Sequence, residues 1–361
     1  MFNFNQETNH NLKTKLLTIL VSITFIFILS GCQKYSEPAT RSFLGFDTII
    51  EITIFDDIDI SSKNLILDSV EELCQKYENL FSRTNEISEL YKLNHNGEVI
   101  ADKELISILK EAIDIAEKSN GLVDPTIGSL VSLWNIGKEN FKVPDDSVIK
   151  SELKNVNYEN IIIDEESNLI SLKNKDSKID LGFIAKGYIA DKIKELLIEK
   201  GIDSALINLG GNILVLGQKT NNGKSTDFNI GINNPSDKMS PLLVIKASDS
   251  IDNHQSVVSS GNYERVSTYN GINYHHILST YDGYPVGTNK NSHLDNNLSQ
   301  VTIISKTSII GDELSTLCFI LGYEKSIEFL SHNYNDVLAI FIDNENNIKY
   351  YPDKASFSIK D

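Results

Sequence analysis

Several short stretches of this chain gather groups that phosphate chemistry can use. In "DLGFIAKGYIADKI", Asp180 to Ile193, the apolar residues Ile184, Ile189, Ile193, Leu196 and Leu197 recur at near-helical spacing, so Asp180 to Phe183 stand at or just before a helix N-terminus. Free N–H groups and the positive end of the helix dipole favour an anion there, Gly182 removes a side chain from the approach, and Lys186 adds a mobile point charge. A plain strand-to-helix turn with an exposed lysine accounts for the same residues. In "GDELST", Gly311 to Thr316, the helical pattern of Ile310, Leu314, Leu317 and Leu321 sets Asp312 and Thr316 one turn apart, so both oxygens leave one face. A carboxylate and a hydroxyl are part of what Mg²⁺ takes from a protein, with water and substrate phosphates completing its octahedron; a solvated helix face is the alternative.

Three further stretches add to these. "NYHHI", Asn273 to Ile277, puts adjacent histidines on a strand, where they must point to opposite faces, one as buried structure and the other able to act as a base. "GLVDPTIGSLVSLWNIG", Gly121 to Gly137, places Asp124, Pro125 and Thr126 in a turn right after a helix, with the single tryptophan, Trp134, most simply in the core. "INLGGNI", Ile207 to Ile213, is a strand running into two glycines and an asparagine, so its backbone can come close to a ligand. It is not GxGxxG, and no acidic residue follows at the required distance, which argues against a dinucleotide fold of the Rossmann type.

The elements that must position these groups alternate along the chain. Helical spacing runs from about Ser62 to Leu80, Lys103 to Ser119, Ile184 to Lys200, about Ser308 to Leu321 and Glu324 to Leu330. Strands are expected at Ile49 to Phe55, Ile161 to Ile163, Leu169 to Leu172, Ser204 to Leu209, Ile213 to Leu216, Asp227 to Ile232 and Leu242 to Ala247. Later ones are expected at Ser256 to Ser260, Tyr274 to Leu278, Val301 to Ser305 and Val337 to Asp343. With no repeat and no Pro/Gly linker, the reading is one mixed α+β domain with a β-sheet core and flanking helices.

The N-terminal residues do not belong to that domain. Lys13 and Lys15 precede the uncharged run Leu16 to Leu29, which is short for a membrane span and suited to a signal peptide. It ends in "LSGC", whose small residues before Cys32 match a bacterial lipoprotein cleavage box. Residues 1–31 therefore read as a lipoprotein signal peptide, 32–42 as a polar tether and 43–361 as the folded domain, held to a membrane by lipid on Cys32. The net charge of −17, with no basic stripe, speaks against a nucleic-acid partner. Cys74 and Cys318 lie in apolar helical runs, where a buried free thiol is the commonest reading and spacing leaves a disulfide open, and no Cys/His cluster has zinc spacing.

In identity and order, "FSRTNEISELYKLN" (Phe81 to Asn94), "VDPTIGSLVSLWNIG", "DLGFIAKGYIAD", "INLGGN", "HHI" and "GDELST" resemble the successive motifs of the FAD:protein FMN transferase (ApbE) family. The resemblance implies an ApbE-like fold related to the T-fold, and cleavage of FAD at its pyrophosphate. FMN is then attached to a threonine or serine hydroxyl of a target flavoprotein, and AMP is released. It implies FAD contacts at Phe46, Thr84, Asp124, Pro125, Thr126, Asp180, Lys186 and Leu278. Mg²⁺ would be held by the Phe183 carbonyl, Asp312 and Thr316, with Ser315 as a further contact, and His276 would act as base beside the catalytic Asp312. The implied partner is a membrane redox-complex subunit or an extracellular electron-transfer flavoprotein, and the implied location is the extracytoplasmic face of the cell membrane. The chain departs from the family at Phe46-Asp47-Thr48, where Met-Gly-Thr is usual, at Thr84, where an aromatic is usual, and at Ser279 to Pro285. Two other outcomes suit such a chain: hydrolysis of FAD to FMN and AMP, or flavin binding without chemistry.

Overall fold

The computed structural model describes residues 36–221, 223–235, 237–249, 255–288, 297–357 and 359, so the expected signal peptide and lipid-bearing Cys32 lie outside the described residues. A compact unit begins at Pro38. Its centre is an eight-stranded sheet: β1 (Ala39–Gly45), β2 (Thr48–Ile54), β3 (Ala205–Leu209), β4 (Asn212–Leu216), β5 (Ser256–Gly261), β6 (Leu298–Ser305), β7 (Leu338–Asp343) and β8 (Ile348–Tyr351). The strands lie side by side in chain order and every neighbouring pair is antiparallel. Alternation sets the inward face, as where Ile50, Ile52 and Ile54 of β2 are fully buried between more exposed neighbours. Strand β6 is buried at every position because it is covered on both sides.

Seven α-helices complete the unit among the described residues: α1 (Ile60–Phe81), α2 (Glu89–Asn96), α3 (Lys103–Lys118), α4 (Gly128–Trp134), α5 (Asp146–Glu152), α6 (Ala185–Glu199) and α7 (Ser308–Asn333). Helices α6 and α7 pack together over one face of the sheet; a two-stranded ribbon, Phe228–Asn234 with Asp237–Ala247, covers the other through Phe228, Ile230, Ile232 and Ile245. A small three-stranded sheet, Glu98–Ile100, Leu169–Leu172 and Ile161–Asp164, lies within the long excursion between β2 and β3. Cys74 and Cys318 are buried free thiols, and burial pushes both up to about 12. No helix among the described residues is long and apolar enough to cross a membrane.

Three expectations need correction. The tether ends sooner than residue 42, because Ala39 to Ser42 already pair with β2: Ser42 lies opposite Glu51, and Arg41 forms ion pairs with Asp68 and Glu71 of α1. These residues are polar because β1 is the edge strand, with Ala39 buried and Phe43 packed on the core, and a polar edge reads as linker. The strand expected at Tyr274 to Leu278 is Ile272–His275, one arm of a hairpin with Val266–Tyr269. The two C-terminal helices are one run to Asn333 broken at Gly322, whose φ of 74° lets the chain bend without a Cβ penalty.

Candidate active site

The "AKGYIAD" stretch is the contact between α6 and α7. A Cβ on Gly187 would lie 2.4 Å from the Ser308 carbonyl oxygen and 2.7 Å from Ile309 Cα, so glycine lets the two backbones touch. At that contact Gly187 donates its N–H to Asp312 Oδ2 at 2.9 Å, and Lys186 Nζ pairs with Asp312 Oδ1 at 3.1 Å. One turn on, Asp191 receives the first N–H groups of α7, from Ser308 at 2.8 Å and Ile309 at 2.9 Å, and so caps that helix from outside. Burial pushes the Asp191 carboxyl up to about 6, against the two N–H groups that lower it. The anion at the start of α6 is thus the Asp312 carboxylate, 2% exposed, and its two oxygens are held by a lysine and a backbone amide.

This pair stands beside a cavity of about 730 Å³. Thr316 and Phe183 line it; Asp312 and Ser315 lie behind the lining. The Ser260 hydroxyl of β5 is 2.8 Å from that of Ser315 and 3.2 Å from that of Thr316, and Ser315 also donates to the Asp312 carbonyl at 3.0 Å. Ser315 is fully buried, and these bonds make it a brace for α7.

The Asp180 wall is held from two sides. Arg83 Nε pairs with Asp180 Oδ2 at 2.7 Å, and Gly182 donates its N–H to Asp180 Oδ1 at 2.8 Å. Just before it, Asn94 imitates a strand neighbour for Ile179, accepting its N–H at 2.6 Å and donating to its carbonyl at 2.9 Å. Asp124 lines the cavity but spends its oxygens on the turn: Thr126 donates its N–H and hydroxyl to Oδ1, and Tyr158 donates its N–H to Oδ2. The Thr126 side chain is fully buried, and neither it nor Pro125 lines the cavity; the Pro125 carbonyl instead accepts the Asp180 N–H at 2.7 Å. Phe46, Thr84, Lys186, Leu278 and His276 line the cavity as well.

The histidines divide as their adjacency implied. His275 is buried with Nε2 2.8 Å from the Val286 carbonyl oxygen, and its ring lies edge-on to Phe319. His276 faces the cavity; burial, then Arg265, His275 and Lys186, lower it to about 3, so the imidazole is neutral near pH 7. Its Nδ1 is buried without a hydrogen-bond partner among the described residues. Glu264 also lines the cavity: desolvation and Asp312 push its carboxyl up, while Lys186 and Arg265 pull it down. Sequence reasoning missed Ser260, Glu264, Arg265 and the role of Arg83. The "SSGNYERV" stretch had no recognisable spacing, whereas Arg83 lay inside a quoted motif, with nothing in the sequence to tie it to Asp180.

Among the described residues no three His, Cys, Asp or Glu side chains cluster as metal ligands. The donors at hand are a single carboxylate, hydroxyls and a carbonyl, all hard oxygens that suit Mg²⁺ when phosphate oxygens complete its shell. Sheet, helix pair and cavity together define a mixed α+β protein whose cavity stands beside a buried lysine–aspartate pair. Residues 46–341 match the model of the ApbE family, and the chain belongs to that family. It is 33% identical over 338 residues to the FAD:protein FMN transferase of Treponema pallidum, covering 90% of this chain and 87% of that protein. It is 35% identical over 293 residues to one from Klebsiella pneumoniae, covering 80% and 86%. The ApbE protein of Thermotoga maritima has the same fold, with a TM-score of 0.76 at 26% identity over 88% of this chain and 98% of that one. The flavin transferase ApbE from Vibrio cholerae superposes with a TM-score of 0.74 at 22% identity, over 89% and 98%.

Proposed function

We propose that this protein is an FAD:protein FMN transferase. The acceptor oxygen of a threonine or serine forms a bond to the FMN phosphorus, the pyrophosphate P–O bond of FAD breaks, and AMP leaves with the released charge. The observation that carries this reading is the Lys186–Asp312 pair, locked by the Gly187 N–H at the edge of a cavity that also holds a neutral imidazole. Asp312, Thr316 and the Phe183 carbonyl would hold Mg²⁺, which when bound supplies charge neutralisation at the phosphates. Lys186 offers a mobile charge for phosphate, and Arg83 orients Asp180 in the cavity lining. His276 takes the acceptor proton; its basicity is depressed first by burial and then by Arg265, His275 and Lys186, and anionic phosphates offset the part due to the cations. The LSGC box further supports a lipid anchor on Cys32 and work at the extracytoplasmic face, on a flavoprotein of a membrane redox complex or an extracellular electron-transfer chain.

The test incubates the full-length protein with FAD and Mg²⁺, with and without a flavoprotein subunit of a sodium-pumping redox complex that carries an acceptor threonine. Flavin fluorescence on the denatured acceptor with equimolar AMP, both abolished in Asp312→Ala, is the expected result. AMP without labelled acceptor would replace the transferase with a hydrolase of FAD, and bound FAD with no AMP would replace both with a flavin-binding protein.

A further inference from the structure

The hairpin between β3 and β4 closes at Gly210 and Gly211, whose φ values of 60° and 98° suit a type I′ turn. The turn is fixed: Gly211 donates its N–H to Asn208 Oδ1 at 2.9 Å, and Gly210 donates its N–H to the Ile49 carbonyl at 3.1 Å. It is bare at Gly211, which is exposed and where a Cβ would meet nothing within 4 Å, whereas Gly210, also exposed, is backed by Thr48, whose Oγ1 lies 2.1 Å from where a Cβ would stand. Directly after it comes Asn212, which lines the cavity, is 2% exposed, and has a side-chain Nδ2 with no hydrogen-bond partner among the described residues. A buried amide left unpaired opposes folding, so such a group persists where a ligand completes it.

We infer that Asn212 is a binding residue for the acceptor protein, donating a hydrogen bond to a main-chain carbonyl of the segment that carries the acceptor hydroxyl. The inference rests on the transferase reading above. A donor calls for an oxygen acceptor, which FAD and a peptide both have, and the bare turn decides between them. Exposed Gly211, with no side chain of its own and no atom where one would stand, admits an extended backbone from solvent to within hydrogen-bonding reach of the residue behind it. From Asn212 the cavity wall runs on to Ser259 and Ser260 of β5, and Ser260 touches Thr316. A segment laid along the turn therefore brings its hydroxyl in from the open side toward the groups proposed to hold the phosphates.

The experiment uses the full-length protein and the flavoprotein subunit named above, with KM for acceptor measured at saturating FAD and KM for FAD at saturating acceptor. Asn212→Leu keeps the size of the side chain and removes the donor. The expected result is a KM for acceptor raised about five- to tenfold, as for one lost hydrogen bond. KM for FAD should stay within about twofold, and the melting temperature should be equal or higher, because the unpaired amide is gone. Asn212→Ala repeats the measurement should leucine not fit. A change in KM for FAD without one for acceptor would overturn the assignment in favour of the nucleotide, and no change in either would remove Asn212 from recognition. A wild type that forms no AMP and labels nothing would instead sink the transferase reading, and this inference with it.

Discussion

Gly187→Ala tests how far the fold of this protein depends on one hydrogen atom. In an unconstrained helix the change would stabilise by about 0.5–1 kcal/mol. Here the new methyl would stand 2.4 Å from the Ser308 carbonyl oxygen, about 1 Å inside ordinary contact, and both atoms belong to helix backbones that cannot rotate away. Separating α6 from α7 by that amount stretches the Gly187 N–H bond to Asp312 from 2.9 Å beyond hydrogen-bonding range and pulls Asp191 off the start of α7. Overpacking costs about 1–3 kcal/mol, a bond to a charged group about 1.5–3 and a lost cap about 1. These effects overlap, and the net loss is about 3–5 kcal/mol, which for a domain of this size lowers the melting temperature by about 5 °C or more. Because Asp312 and Lys186 move with the helices, AMP release should fall by about 10²-fold. Differential scanning fluorimetry and an AMP assay decide the matter. A variant that melts within 1 °C of wild type and turns over normally would refute the claim that this glycine sets the helix contact and, through it, the aspartate.

Further outcomes follow from other parts of the molecule. His276→Asn should lower FMN transfer by about 10²–10⁴-fold while leaving FAD binding intact, as measured by transfer rate against equilibrium titration with FAD. Burial pushes Glu313 up to about 8, with Glu111 and Asp114 adding to the effect. Between about pH 4.5 and 8 the unfolded chain is thus ionised there while the folded one keeps its proton. Stability should fall with rising pH through that window by about 1.4 kcal/mol per unit, and Glu313→Gln should flatten the melting-temperature profile between pH 5 and 9. Asp47 has a φ of 58° at the second position of the two-residue turn between β1 and β2. Asp47→Gly should raise stability by about 0.5–1 kcal/mol in urea titration, the exposed ion pair to Lys138 being a small loss.

Much of the site was legible because α6 and α7 carry their chemistry in order along the chain. Spacing alone put Asp312 and Thr316 on one face and Lys186 near a helix start, and adjacency alone sent His275 and His276 to opposite sides. What spacing does not encode is who answers whom. The start of α6 read as an anion site, and the anion it holds is Asp312, more than a hundred residues away. Asp124 and Thr126 read as ligand contacts from the motif, yet their oxygens are spent holding the turn that fixes the Asp180 wall. Residues Ala39 to Ser42 of strand β1 read as tether because an edge strand with few inward side chains has the composition of a linker. Glu264, Arg265 and Ser260 sit in a strand end and turn with no periodicity, and the fold alone brings them to the cavity.

The Lys186–Asp312 pair joins these threads. A carboxylate buried to 2% exposure needs compensation whether or not a ligand is present, and the lysine and the Gly187 amide provide it in the unliganded chain. The same lysine lines the cavity with 20% of its side chain exposed, so it can turn toward an entering phosphate. That movement would leave Asp312 Oδ1 free for the Mg²⁺ that we propose it holds. On this argument Lys186→Met should weaken the unliganded fold by more than the roughly 1 kcal/mol of a surface pair, because it strands a buried charge. Added Mg²⁺ should recover part of that loss, raising the melting temperature of the variant more than that of the wild type. A variant as stable as wild type, or indifferent to Mg²⁺, would show that the lysine serves the ligand alone and that Asp312 is compensated by the helix.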